Sequence, residues 1–319
     1  MKRIYLSCLV LLTFVSIVSA QVAELYVVNP TKYEVLNGSK LPASKTVLSK
    51  LSARVCAGEY EPLSFLINPK QSISNITLEW TDFTGTAGTI SKTALDPYIA
   101  KIWWQAGINT IYSDENTDSL VQELLIKNDN LIRINWTSRK NELLVKNKTT
   151  GANSYITISD PSISFPADVE IYDAKTLQPF NMTDGKNKQL YLIFHTPNDA
   201  KAGTYTSQLT VKAGTTVIKT FPVEITVLPF KLSEPNFTYG IYYTGGVATS
   251  VDAKYSFSGL LKDTAQYYVE MKDLFEHGIK YPQNNNGYGS QNIAMGIRNR
   301  VGLPTDKIFV HAVGITFSD

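Results

Sequence analysis

The stretch "LPFKLSEPNFTYGIYYTGG", residues 228–246, divides the chain. Before it, apolar and polar residues alternate with period two. In "TYTSQLTVKAGTTVIKTFPVEITVLPF", Tyr205, Leu209 and Val211 share one face, while Thr206, Gln208 and Thr210 take the other. The turn Ala213-Gly214-Thr215-Thr216 reverses the chain, and Phe221, Val223, Ile225 and Val227 resume the apolar face. That pattern predicts a β-hairpin with one buried side. Similar runs at "LYVVN", "PLSFLIN", "NITLEW", "IAKIWWQ", "SYITIS" and "LYLIFHT" predict an all-β antiparallel sandwich, immunoglobulin-like or jelly-roll-like, over residues 21–230. The segment "DSLVQELLIKNDNLIRIN" reads as a long insertion between strands: Leu120, Leu124 and Leu125 fit a short helix, and Asn128-Asp129-Asn130 a turn.

After the stretch the period changes. "FTYGIYY" reads as a short buried strand. "SGLLKDTAQYYVEMKDLFEHGIK" places Leu261, Ala265, Tyr268, Met271 or Lys272, and Phe275 on one helical stripe, with Gly278 as a stop. "IKYP" is a second strand, "SQNIAMGIRNRVGL" a second helix with Ile293, Ile297 and Val301 in step, and "KIFVHAVGITF" a third strand. Strand and helix in alternation predict parallel α/β architecture over 239–319, joined to the sandwich by a linker at 231–238.

The amino end carries Lys2 and Arg3, an apolar run from Cys8 to Val18, and small residues at Val18-Ser19-Ala20. This is the pattern of a secretory signal peptide over 1–20, implying a secreted or periplasmic protein with no membrane association after cleavage. Cleavage would leave Cys56 alone, so stability has to come from a core rather than a disulfide. With 43% hydrophobic and 18% charged residues and a net charge of +2, nothing marks a nucleic-acid or anionic-membrane partner. Eighteen Tyr, four Trp and many Asn and Thr suit a protein that handles sugars, and equally an exported β-protein.

An ordered set of motifs adds a resemblance. "GEYEP" (58–62), "IAKIWWQAG" with "LVQELLIKND", "HTPNDAKAGTYTSQLTV", "ITVLPFKLSEP", and "FEHGIKYPQ" with "GLPTDKIFVHAVG" follow one another along residues 58–314. In that order they resemble glycoside hydrolase family 123 and its relatives among exported bacterial proteins. The resemblance implies a sandwich ahead of a (β/α)8 catalytic barrel, of which the chain would hold the first three βα units, since a full barrel takes about 250 residues. It also implies hydrolysis of N-acetylhexosaminides by a substrate-assisted route with no cofactor, and a glycan or oligosaccharide as partner.

In that class an adjacent Asp-Glu pair on a middle barrel strand does the chemistry. The adjacent pair here, Asp114-Glu115, lies in a polar loop of the sandwich portion, so the catalytic residues are expected beyond residue 319. Substrate contact is expected from residues at the carboxyl ends of the first two barrel strands: Tyr242, Tyr243, Asn284 and Asn285. The alternative is a non-catalytic carbohydrate-binding or structural surface module. His195, His277 and His311 have no metal-ligand spacing, and Gly287 and Gly289 lack the remainder of a nucleotide-binding fingerprint. Trp103 and Trp104, adjacent in a strand, must point to opposite faces.

Overall fold

The structure, a computed structural model, describes residues 22–106, 118–158, 168–233, 236–248, 261–287 and 289–307. The expected signal segment, the Asp114-Glu115 pair, His311 and nearly all of the third strand expected in "KIFVHAVGITF" lie outside them.

Strand is the dominant element of the described chain, and the larger strands form two sheets face to face. One has the order β1 (Ala23–Val28), β3 (Tyr60–Pro69), β14 (Lys188–His195), β7 (Leu95–Ala106) and β8 (Asp118–Ile126), antiparallel throughout. The other has the order β13 (Phe180–Met182), β4 (Ile73–Trp80), β15 (Gly203–Ala213), β16 (Thr216–Val227) and β2 (Leu51–Val55), with the hairpin β5 (Phe83–Gly85) and β6 (Gly88–Ile90) set against β15. A 3₁₀ turn over Lys92–Ala94 leads into β7. Antiparallel pairing holds except at the edge, where β2 joins β16 in parallel.

The sheets meet because each presents a period-two apolar row to the other. Phe65, Leu190, Leu192 and Phe194 come from the first sheet, and Leu209, Val211, Phe221, Val223 and Ile225 from the second. Phe65 meets Phe221 edge-on at 5.5 Å, and Phe83 meets Phe194 at 4.9 Å. The hairpin turns where the sequence places it, with Gly214 at φ +56°, a conformation costly for a residue with a Cβ. The outer face of β3 is covered as well: Leu66 joins Tyr26, Val28 and Leu36 in a satellite cluster. This explains why Ser64 to Pro69 is buried without interruption.

A third, small sheet pairs β10 (Lys140–Asn147) with β9 (Ile132–Asn135), β11 (Asn153–Thr157) and β12 (Val169–Glu170). Its Ile132, Leu143 and Val145 dock on the main core. Residues 118–135 are therefore not an insertion with a short helix but two strands, β8 and β9.

The carboxyl-terminal portion corrects the barrel expectation. It holds β17 (Gly240–Ile241), β18 (Gly246–Val247), β19 (Leu261–Lys262), α1 (Thr264–Glu276), β20 (Tyr281–Pro282) and α2 (Gln291–Val301). β17 pairs with β20, and β18 with β19, both in parallel, but each strand is two residues long. Among the described residues, two helices and four such strands do not form the repeating βα units of a (β/α)8 barrel, and no start of one is present. The helical stripes are also rotated from their predicted positions: α1 buries Tyr267 and Met271, and α2 buries Ala294, Ile297 and Arg298, while Ile293 is exposed. Gly278 (φ +83°) follows α1, as the sequence predicts. These side chains form a small cluster separate from the sandwich core, with Val247 and Leu303.

Removing a ring from the core should be costly. Phe65→Ala is expected to destabilise the protein by about 3–5 kcal/mol, read as a shift in the urea midpoint at unchanged slope. A loss below about 1 kcal/mol would contradict a core shared between the two sheets.

Candidate functional site

The four residues expected to touch substrate are placed unequally. Tyr242 is 75% exposed. The Tyr243 hydroxyl donates to Glu270 at 2.6 Å, and its ring packs edge-on against Tyr267. Burial, followed by that hydrogen bond, raises its phenol well above the ordinary range. Asn284 is buried, and its side-chain oxygen accepts from Asn286, whose amide also reaches the Tyr267 hydroxyl at 3.2 Å. Asn285 donates to the Thr244 carbonyl at 3.1 Å. Three of the four thus brace one another's segments, joined by Asn286, and none lines either of the two large clefts described next.

The first cleft opens at the start of β14, under the small third sheet. Its volume is about 570 Å³. The floor is built on two lysines. Leu190 is in the sandwich core, and so is Ile99 across the pair on β7. Two residues back along β14 and two forward along β7, the same inner face carries Lys188 and Lys101. The β7–β14 register ends at the Gln189–Ala100 pair, and these lysines are the next residue on each strand. Like charges opposite on neighbouring strands repel.

Asp129 resolves the conflict. Lys101 Nζ donates to its Oδ1 at 2.9 Å and to its backbone carbonyl at 2.7 Å, and Lys188 Nζ donates to Oδ2 at 2.8 Å. The three side chains are only 13%, 16% and 16% exposed for Lys101, Lys188 and Asp129. Burial pushes the Asp129 carboxyl up, but the two ammonium groups outweigh it and hold the carboxyl below its usual value. Burial lowers the Lys101 ammonium, against the pull of Asp129.

Above this floor stand two aromatic rings. Trp136, 47% exposed, is in the turn between β9 and β10 and packs edge-on against Trp104 at 6.2 Å. Tyr155 on β11 is covered on one side by the Arg133 guanidinium at 4.1 Å, and Arg133 is itself paired with Glu142. Asn37, Asn130 and Gln122 add polar groups to the lining. Trp103, on the opposite face from Trp104, packs on the sandwich core. The arrangement can hold a ligand with flat apolar faces and many hydroxyls.

A second cleft of about 690 Å³ lies between the sandwich and the end of α1. Its rings are stacked on one another: Tyr60 on His195 at 4.0 Å and 3°, and Tyr60 on His277 at 5.3 Å. Asp96 is taken up by Lys127 and Tyr98, and the Trp80 indole by the Lys92 carbonyl. Its Tyr60 ring is covered by two imidazoles, whereas Trp136 in the first cleft is 47% exposed. Among the described residues no cluster of His, Cys, Asp and Glu could hold a metal ion, and no helix is long and apolar enough to cross a membrane.

The sequence reading missed Lys101, Asp129, Trp136, Tyr155 and Lys188. Two signals were available. "INWTSRKN" places a Trp in a polar turn, and "KNKQLYLIFH" opens a strand with a lysine in phase with its apolar residues.

No family model matches the chain, and neither does any curated protein. Among solved structures, it is weakly similar to a family 123 glycoside hydrolase from Clostridium perfringens. The identity is 13% and the TM-score 0.43, over 81% of this chain and 34% of that one. The chain therefore spans about a third of that enzyme's length. A PapD-like domain of human CEP192 gives 8% identity and a TM-score of 0.24, over 72% of this chain and 100% of that one.

The Asp129 clamp has a pH signature. The folded carboxyl binds its proton more weakly than the unfolded one, whose pKa is about 3.9, so its contribution is complete above that value and drains as pH falls below it. Asp129→Asn leaves two buried ammonium groups without a counter-charge and should cost about 3 kcal/mol at pH 7. Urea unfolding should show the gap between variant and wild type shrinking at pH 3. An equal gap at both pH values would contradict the clamp.

Proposed function

We propose that this chain is an exported carbohydrate-binding protein related to glycoside hydrolases, and that the cleft under the third sheet is its binding site. One observation carries the reading: Trp136 and Tyr155 stand over a floor of buried hydrogen-bonding groups. Sugar rings combine an apolar face with a rim of hydroxyls, and such a cleft meets both. The ordered motifs from Gly58 to Gly314 and the signal-like amino end support the lineage and the export.

Binding without hydrolysis follows from the carboxylates. Cleavage of a glycosidic bond ordinarily needs two of them, or a neighbouring pair where the substrate assists. Among the described lining residues the cleft has Asp129 alone, and both its oxygens are committed to lysines. Neither a general acid nor a nucleophile is available there. Hydrolysis of N-acetylhexosaminides, which the resemblance implies, would have to use residues other than these.

The test is a printed array of neutral and acidic glycans, probed with the purified chain and with Trp136→Ala. Trp136 is half exposed, so its loss should leave the unfolding midpoint near wild type while reducing affinity at least ten-fold, about 1.4 kcal/mol. Glycan binding unchanged by this substitution would contradict the site; an array with no hits would contradict the function.

A further inference from the structure

Charge bookkeeping at the same cleft says which glycans. We infer that it selects saccharides bearing a carboxylate or a sulfate ester over neutral ones, an inference that rests on the glycan-binding reading above. Its described lining contains four cationic side chains, Lys101, Arg133, Lys186 and Lys188, against the single carboxylate of Asp129. Arg133 is neutralised from outside the cleft by Glu142 at 2.6 Å. Lys101 and Lys188 share Asp129, which among the described residues leaves one positive charge uncompensated on groups that water scarcely reaches.

The ammonium protons tell the same story. Each lysine has three donors. Lys101 uses two of its own on Asp129, and Lys188 uses one, among the described residues. The remaining donors belong to residues that line the cleft. Lys186 adds a further positive charge with no ion pair among the described residues, and its Nζ stands 5.9 Å from the Trp136 ring centre. A sugar lying on Trp136 would thus bring a ring substituent close to Lys186 and, deeper, to the pair held by Asp129. A hydroxyl there leaves the excess charge as it was; a carboxylate or sulfate ester neutralises it in a medium of lowered dielectric. An inorganic anion would satisfy the charge but make no use of the rings.

Isothermal titration of the full chain with length-matched oligosaccharides tests this. The probes are a neutral maltohexaose, a hexagalacturonate carrying carboxylates, a carrageenan hexasaccharide carrying sulfate esters, and inorganic sulfate. At least one acidic oligosaccharide should bind ten-fold or more tighter than the neutral one, and its affinity should fall as salt is raised from 50 to 500 mM while neutral binding changes little. Lys186→Gln, on the exposed side of the cleft, should remove most of that preference, lowering affinity for the acidic probes at least five-fold more than for maltohexaose. Lys188→Gln, where circular dichroism shows it folded, should likewise weaken binding of the acidic probes more than that of the neutral one. Equal affinity for neutral and acidic probes would overturn the selectivity and leave glycan binding standing. Inorganic sulfate binding as tightly as the acidic oligosaccharides would show a simple anion site. No saccharide binding at all would overturn both readings.

Discussion

Two lysines brought together at the end of the β7–β14 ladder repel each other, and the carboxylate of Asp129 offsets that repulsion. Its place in the chain gives that contact wider reach. Asp129 sits in the turn Asn128-Asp129-Asn130, closed by the Asn128 side chain on the Asn130 backbone and by the Leu131 amide on the Asn128 carbonyl. Asp173 takes the backbone amides of Lys127 and Asn128 from the other side. The turn leads directly into β9, and β9 into the loop that carries Trp136. An ion cluster in the floor of the cleft therefore also fixes where its roof begins.

The sandwich provides the rigid base for this arrangement. Lys101 and Lys188 are on the inner face, in line with Ile99 and Leu190, in a row that is otherwise apolar. Charged residues pointing inward are costly unless they are paired and hydrogen-bonded, and here both conditions are met at the margin of the core. The carboxyl-terminal portion meets a similar problem less completely, since Arg298 Nε and Nη2 have no hydrogen-bond partner among the described residues. Arg298 is fully buried on α2, and its Nη1 donates to the Pro282 carbonyl at 3.1 Å. Burial lowers its pKa, with Tyr267 alongside opposing the shift. It tethers α2 to β20, which is itself only two residues long, so polar contacts as well as apolar ones hold that portion together.

Much of the sandwich was legible because its strands bury one face at a time. In the β15–β16 hairpin the rows Tyr205, Leu209, Val211 and Phe221, Val223, Ile225, Val227 are all buried. β8 was not legible, for a local reason: its register with β7 shifts between Lys101 and Ile102, so that Leu124 and Gln122 oppose consecutive residues and Glu123 is left over. That bulge breaks the period of two and gives the leucines a spacing that mimics a helix. The barrel expectation failed because strand–helix alternation reports order along the chain and not strand length; at Gly240–Ile241 and Tyr281–Pro282 the pairing stops after two residues. The cleft was hidden for another reason. Lys101, Asp129 and Lys188 are far apart in sequence, each unremarkable alone, and only the antiparallel register of β7 and β14 places the two lysines side by side.

The account rests on that cleft being where a ligand binds. Hydrogen–deuterium exchange of the full chain, with and without a saturating saccharide, reads this directly. Protection should increase in peptides covering residues 128–137 and 180–189, with little change over 239–303. Protection confined to the carboxyl-terminal portion, or to the second cleft around Tyr60 and His277, would place the site elsewhere and contradict it.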